Sequence, residues 1–203
     1  MSTALSAIRA IAPTDNFVVL DTETTGIDYR AQIVQIGIVA ADGRVLVDSL
    51  VRPTIPIPQE ATAIHGLTDD MVRLAPTIVE LAPSIRDAIR GRCVIIYNAE
   101  YDMRLLRQSA EARQDTTDWR SVATRWLCAM LAYAEYRGEP GRRYGEFRWH
   151  KLGEAARYEG IEASAQHSAI GDCLTTLGPC SEAGDGELTV HRPNGTRARH
   201  VIL

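Results

Sequence analysis

Phe17-Val18-Val19-Leu20-Asp21-Thr22-Glu23-Thr24-Thr25-Gly26 is the stretch on which the reading of this chain turns. Phe17 to Leu20 is a short apolar run of the kind that forms a buried strand, and Thr24-Thr25-Gly26 reads as its exit. Side chains two apart on a strand share a face, so Asp21 and Glu23 project side by side. Two ionised carboxylates held that close repel, and such a pair either shares a proton or awaits a cation. An isolated Asp-x-Glu is about as often a solvated strand end. Three features further along the chain move that balance.

Outward from this strand the chain reads as one α/β unit. Gln32–Ala40 and Arg44–Val51 are strands joined by an Asp42-Gly43 hairpin turn. The proline-rich segment 52–58 is loop. Ala61–Leu67 is a short helical turn ending at Gly66, with Thr68, Asp69 and Asp70 as candidate caps for a helix over Pro76–Arg90. Cys93–Tyr97 is a continuous apolar run, as a buried parallel strand requires. It passes through Asn98-Ala99-Glu100 into a helix carrying Asp102, Leu105 and Leu106. Trp126–Met130 fits strand or helix by periodicity and is read as a strand leading into a helix at Leu131–Tyr136. Lys151–Tyr158 is a helix stopped at Gly160, and His167–Leu177 holds the last core helix, broken by Gly178-Pro179.

Length and composition bound the class. The 203 residues suffice for one domain with a full core, and 45% hydrophobic with 24% charged residues is ordinary for a soluble globular chain. No apolar run approaches a membrane span. Residues 1–16 lack the basic start and apolar block of a signal peptide, so the chain is expected in the cytoplasm. The four cysteines have no C-x-x-C spacing, which points away from a zinc site or a disulfide framework. The formal charge of −4 is unevenly spread: residues 104–157 hold eleven Arg and Lys against seven Asp and Glu. A basic face around an acidic centre is therefore permitted.

The three features are Asp102, which follows the buried strand at 93–97, and His167 and Asp172 at the start of the last helix. In the order Asp-x-Glu, Asp, His-x4-Asp, this set resembles the DEDDh group of 3′→5′ exonucleases. The epsilon proofreading subunit of bacterial DNA polymerase III, ribonuclease T and oligoribonuclease belong to that group. Leu20–Gly26, Ala63-Ile64-His65-Gly66-Leu67-Thr68, Tyr97–Asp102 and His167–Asp172 each match a family motif. Within the family the likeness is greatest to exonuclease X, through Leu50-Val51-Arg52-Pro53, Trp126–Met130 and Asp172-Cys173. The sister group has a tyrosine four residues before the final Asp; Ser168 stands there in this chain.

The resemblance implies a ribonuclease H-like fold with a mixed five-stranded sheet flanked by helices, over residues 17–178. Residues 1–16 are then a leader and 179–203 a tail. It implies two divalent cations, Mg²⁺ or Mn²⁺, held by Asp21, Glu23, Asp102 and Asp172. Asp21 would bridge both, Glu23 and Asp172 would complete one shell, and Asp102 would serve the other mainly through water. Hard cations prefer such all-oxygen sets, and a metal pair is a known device for phosphodiester hydrolysis. His167 would be the general base; its ordinary pKa near 6.5 suits the task. Five residues turn a helix by roughly 140°, so His167 must precede the helix if both are to face one site. Thr24, Thr25, Ile64 and His65 would line the pocket for the 3′-terminal nucleotide.

The expected reaction is release of nucleoside 5′-monophosphates from a 3′ end, on single strands or duplex ends, with DNA favoured and a replication or repair protein as a possible partner. RNA trimming is the first rival; a non-catalytic nucleic-acid or polymerase-binding module is the second. Retained carboxylates speak against the latter, because a passive binder gains nothing from acids beside phosphates. The basic, aromatic-laced segment 138–150 either tracks a strand, with Arg142, Arg143 and Arg148 on phosphates, or is a solvated loop with its aromatics against the core. The last helix is shorter than is usual in the family, and residues 188–201 alternate about a turn signal as a basic hairpin would.

Overall fold

In the computed structural model, which describes residues 3–143, 145–161 and 167–178, strand β1 (Phe17–Thr24) occupies the middle of the sheet. Its first four residues are buried on both faces, which only a central strand requires. β2 (Ile33–Ala40) runs antiparallel to it, and β3 (Val45–Leu50) returns antiparallel to β2 across the turn at Gly43, whose φ of 82° suits glycine. β4 (Cys93–Ile96) and β5 (Arg125–Cys128) add in parallel on the other side. Among the described residues the result is one mixed sheet of five strands, ordered β3-β2-β1-β4-β5.

Helices cover both faces. Val18, Leu20, Val94 and Ile96 pack against Ile85 and Ile89 of α4 (Ile78–Ile89) and Leu105 and Leu106 of α5 (Ala99–Glu111). Phe17, Val19 and Ile95 face the opposite layer. There they meet α1 (Ala4–Ile11), α6 (Ala129–Arg137), α7 (Leu152–Glu159) and α8 (Ala169–Leu177) through Ile8, Tyr133, Ala155, Cys173 and Leu177. The short helices α2 (Gln59–His65) and α3 (Asp69–Val72) flank a small cluster around Val34 and Leu67. The α/β class and the flanked five-stranded sheet are as the sequence predicts.

Several details differ. The helix at 78–89 is capped by Thr77, not by residues 68–70: the Glu80 N–H donates to Thr77 Oγ1, and the Thr77 N–H donates to the Glu80 carboxylate at 2.7 Å. Thr68 and Asp69 instead open the one-turn α3, and Asp69 accepts from the Ile57 N–H. Residues 4–11 form a helix whose first N–H groups donate to the Glu135 carboxylate of α6 at 3.2 and 3.1 Å, an acid placed where a helix start favours one. The hairpin expected at 188–201 lies outside the described residues. No helix among the described residues is long and apolar enough to cross a membrane.

The register opens the site. β4 pairs with β1 only along Phe17–Val19. Beyond that point the chain of β4 turns away into α5, while β1 continues through Asp21 and Glu23 paired to β2 alone. A crevice at the carboxyl ends of central strands is the usual binding place in α/β sheets.

Candidate active site

Asp21 and Glu23 stand on the face of β1 that α8 covers, as their two-residue spacing requires. α8 delivers Asp172 in its first turn, and one carboxylate oxygen from each of Asp21, Glu23 and Asp172 lies within 4.8 Å of the others. Asp102 reaches the same place from the opposite layer. It is buried at the start of α5, and Thr22 Oγ1, on the other face of β1, donates to it at 2.8 Å. Three carboxylates thus form one cluster, and the fourth stands behind them.

Their electrostatics follow from that crowding. Burial, then the charges of Asp102, Asp172 and Glu23, hold Asp21 well above the ordinary carboxylate range. Burial and the facing Asp172 and Asp102 push Glu23 up to about 7. Burial raises Asp102 to about 7 despite the opposing hydrogen bond from Thr22. Asp172 is raised by burial, against the pull of the neighbouring His167. Such a set is costly to ionise without a cation, and its all-oxygen donors suit a hard divalent ion.

His167 precedes α8, as the helical angle demands, and its side chain is exposed. Its φ of 65° lies in the left-handed region. Ser168 caps α8 by accepting from the Gly171 N–H at 3.1 Å. Gln35, paired with Glu23 across the sheet, accepts from the Ala169 N–H at 3.2 Å and ties the helix start to β2.

The four residues expected around the terminal nucleotide are placed unequally. Ile64 is 60% exposed at the end of α2. His65 beside it is fixed in one tautomer: the Leu67 N–H donates to Nδ1 at 3.0 Å, so the ring proton sits on Nε2, 3.2 Å from the Thr24 carbonyl. Burial, with the nearby His167, lowers its pKa. Thr24 and Thr25 are buried and bonded internally. Thr25 Oγ1 accepts from the Gln32 N–H at 3.0 Å. Thr24 Oγ1 and the Tyr101 hydroxyl lie 2.7 Å apart, and each lies within 2.9 Å of the Gly26 carbonyl, so two hydroxyl protons serve three contacts.

The segment 138–150 is a hairpin rather than an open loop: the Gly141 N–H donates to the Glu146 carbonyl and the Arg148 N–H to the Glu139 carbonyl. Arg148 is engaged within the protein: its guanidinium bridges Glu139 (3.3 Å) and Glu154 (3.1 Å). Phe147 and Trp149 are not tucked inward. Both are exposed, and His150 is the buried ring, edge-on to Tyr133 and Tyr158.

Some positioning residues were not singled out from the sequence. Gly37 of β2 lies opposite Asp21 and directly beneath Ala169 of α8. Cys173 directs its thiol to the carbonyls of Val19 and Gly37 from a fully buried position. A glycine between Ile36 and Ile38 was a visible signal, since glycine inside a strand marks close approach of another backbone. Thr22 and Tyr101 carried no such signal.

With this geometry in place, the comparisons with known proteins converge. Residues 18–178 match the family model RNase_T, described as an exonuclease. The chain is 44% identical over 167 residues to an uncharacterized exonuclease, CP81, of Escherichia phage 186, covering 81% of this chain and 86% of that one. It is 32% identical to a DNA polymerase III subunit epsilon-like protein of Rhodobacter capsulatus, spanning 79% of this chain but only 22% of that protein. Among solved structures, exonuclease X in complex with 5′ overhanging duplex DNA superposes with a TM-score of 0.54 at 26% identity, over 79% of this chain and 86% of that one. E. coli exonuclease I with a dT13 oligonucleotide gives 0.60 at 20% identity, over 79% and 39%, which bears on the fold alone. The chain belongs to the DEDDh, DnaQ-like exonuclease family and has its ribonuclease H-like fold.

Proposed function

We propose that this exonuclease is a divalent-metal-dependent enzyme that removes nucleoside 5′-monophosphates from the 3′ ends of DNA. The observation that carries the reading is the meeting of Asp21, Glu23 and Asp172 within 4.8 Å, with buried Asp102 behind them and His167 at the edge. Asp21, Glu23 and Asp172 would hold the cations, with Asp102 completing the set; Mg²⁺ or Mn²⁺ suits these donors. Bound there, a metal pair would supply charge stabilisation at the phosphate and a more acidic water.

The residues of the chain account for the rest. His167 takes the proton of the attacking water on its imidazole, which is open to solvent and makes no metal bond in this account. His65 is held neutral by the Leu67 N–H, so no second positive imidazole opposes that proton uptake. Ile64 offers an exposed apolar surface to the terminal base, and His65, with the Thr24–Tyr101–Gly26 contacts behind it, fixes the wall of that pocket.

DNA is favoured over RNA because exonuclease X was solved with a DNA duplex and the Rhodobacter relative is epsilon-like. Matched DNA and RNA oligonucleotides of one sequence, compared by kcat/KM, test this preference; higher values on RNA would overturn it. Attachment to a replication or repair protein would accompany the DNA reading.

A further inference from the structure

We infer that Lys151 and Arg157 hold the backbone phosphates of the strand on the 5′ side of the scissile bond. This rests on the nuclease reading above and names the path of its substrate. A cavity of about 460 Å³ opens beside the carboxylate cluster, lined by Lys151 at the start of α7 with Gly153 and Arg157 along it, and by His167 ahead of α8 with Asp172 and Thr175 along it. One wall therefore belongs to the reacting centre and the other is basic. None of Thr24, Thr25, Ile64 or His65 lines it, so the cavity is separate from the pocket assigned to the terminal nucleotide.

The charge of the basic wall is available. Glu154, the acid on that wall, is bound by Arg148 at 3.1 Å. Arg137 of α6 and Arg148 of the neighbouring hairpin are likewise paired, with Glu139. Lys151 has no side-chain partner among the described residues. Arg157 makes one bond there, from Nε to the Gly153 carbonyl at 3.3 Å, which leaves its two terminal nitrogens unpartnered. Two cations with no ion-pair partner among the described residues, beside the cluster of Asp21, Glu23 and Asp172, are the complement of a polyanion that must be drawn to an acidic centre and kept in line with it. Lys151 precedes the first turn of α7 and Arg157 lies in its last, so the two cations are assigned to successive phosphates of the strand. Such contacts read neither base nor sugar.

The test compares wild type, K151A/R157A and K151R/R157K, all changed at surface positions. Binding of 5′-labelled dT2 and dT8 carrying a terminal phosphorothioate linkage is followed by anisotropy in Ca²⁺ over a range of salt. For dT8, K151A/R157A should bind about tenfold more weakly, with a log–log salt slope shallower by about 1.4. For dT2, which spans only the scissile linkage, the change should stay within about twofold, and K151R/R157K should keep most of the dT8 affinity. In turnover assays the dT8 loss should fall on KM rather than kcat. Unchanged dT8 affinity and slope in K151A/R157A would overturn the inference, as would equal losses on dT2 and dT8. A wild type that binds dT8 with the steeper slope but cleaves nothing would sustain the groove and refute the nuclease reading.

Discussion

Gly37 and Ala169 meet backbone to backbone: a Cβ on the glycine would stand 2.8 Å from the Ala169 carbonyl carbon and 2.9 Å from its oxygen. Gly37 lies opposite Asp21 in the sheet, and Ala169 opens the helix that carries Asp172. The contact thus sets the depth at which α8 sits over the carboxylates. Gly37→Ala should cost about 1–3 kcal/mol of stability as overpacking and lower kcat/KM by lifting Asp172 from Asp21. Denaturant unfolding and steady-state kinetics check both; an alanine variant with wild-type values of each would refute this role.

The raised carboxyls fix the pH behaviour of the metal-free protein. Glu23 and Asp102 titrate near 7 in the fold, against ordinary values of 4.5 and 3.8. The folded state therefore holds protons that the unfolded chain has released, and stability falls as pH rises from about 4 to 7. Melting temperatures in EDTA should decline across that window, and Glu23→Gln should shrink the decline. Metal affinity should rise over the same window, because binding requires deprotonated ligands. A metal-free melting temperature that climbs from pH 5 to 7 would contradict the assignment.

In the proposed reaction His167 serves proton transfer and Asp172 serves ligation, and substitution separates the two roles. His167→Ala should lower kcat by roughly 10²–10⁴-fold with metal affinity and fold nearly intact. Asp172→Ala should weaken metal binding as well, and relief of repulsion at Asp21 and Glu23 should stabilise the metal-free protein. Activity followed through a Mn²⁺ titration distinguishes them. Rescue of His167→Ala by added metal would remove it from the base role.

Arg148 and Arg142 should behave differently. Arg148 joins Glu139 of the hairpin to Glu154 of α7, so Arg148→Ala should loosen the hairpin and, by freeing Glu154 beside Lys151 and Arg157, weaken DNA binding without removing a phosphate contact of its own. Arg142, at the hairpin tip, has no ion-pair partner among the described residues, and Arg142→Ala should flatten the salt slope by about 0.7 if it meets a single-strand phosphate. Proteolysis of the hairpin and binding titrations in salt read the two effects apart.

The sheet was legible because its evidence is local. Phe17–Leu20 and Cys93–Ile96 are apolar throughout, and every residue of both runs is buried. The position of His167 ahead of the helix also followed from sequence, since helical geometry left no other way to bring it near Asp172. Contacts across the chain were not legible. Thr22 holds Asp102 from 80 residues away, and Arg148 is neutralised by acids nine residues before it and six after. Side-chain pairing of this kind leaves no periodic trace. Helix α1 is only eight residues long, and an eight-residue pattern seldom stands out when its stability comes from docking on α6.

The most direct test of the central claim is digestion of one DNA oligonucleotide, labelled at its 3′ end in one reaction and at its 5′ end in the other, with Mg²⁺ or with excess EDTA. The account predicts immediate release of a labelled mononucleotide from the 3′-labelled strand, a descending ladder from the 5′-labelled strand, and neither in EDTA. Release of the 5′ label first, or hydrolysis undiminished in EDTA, would contradict it.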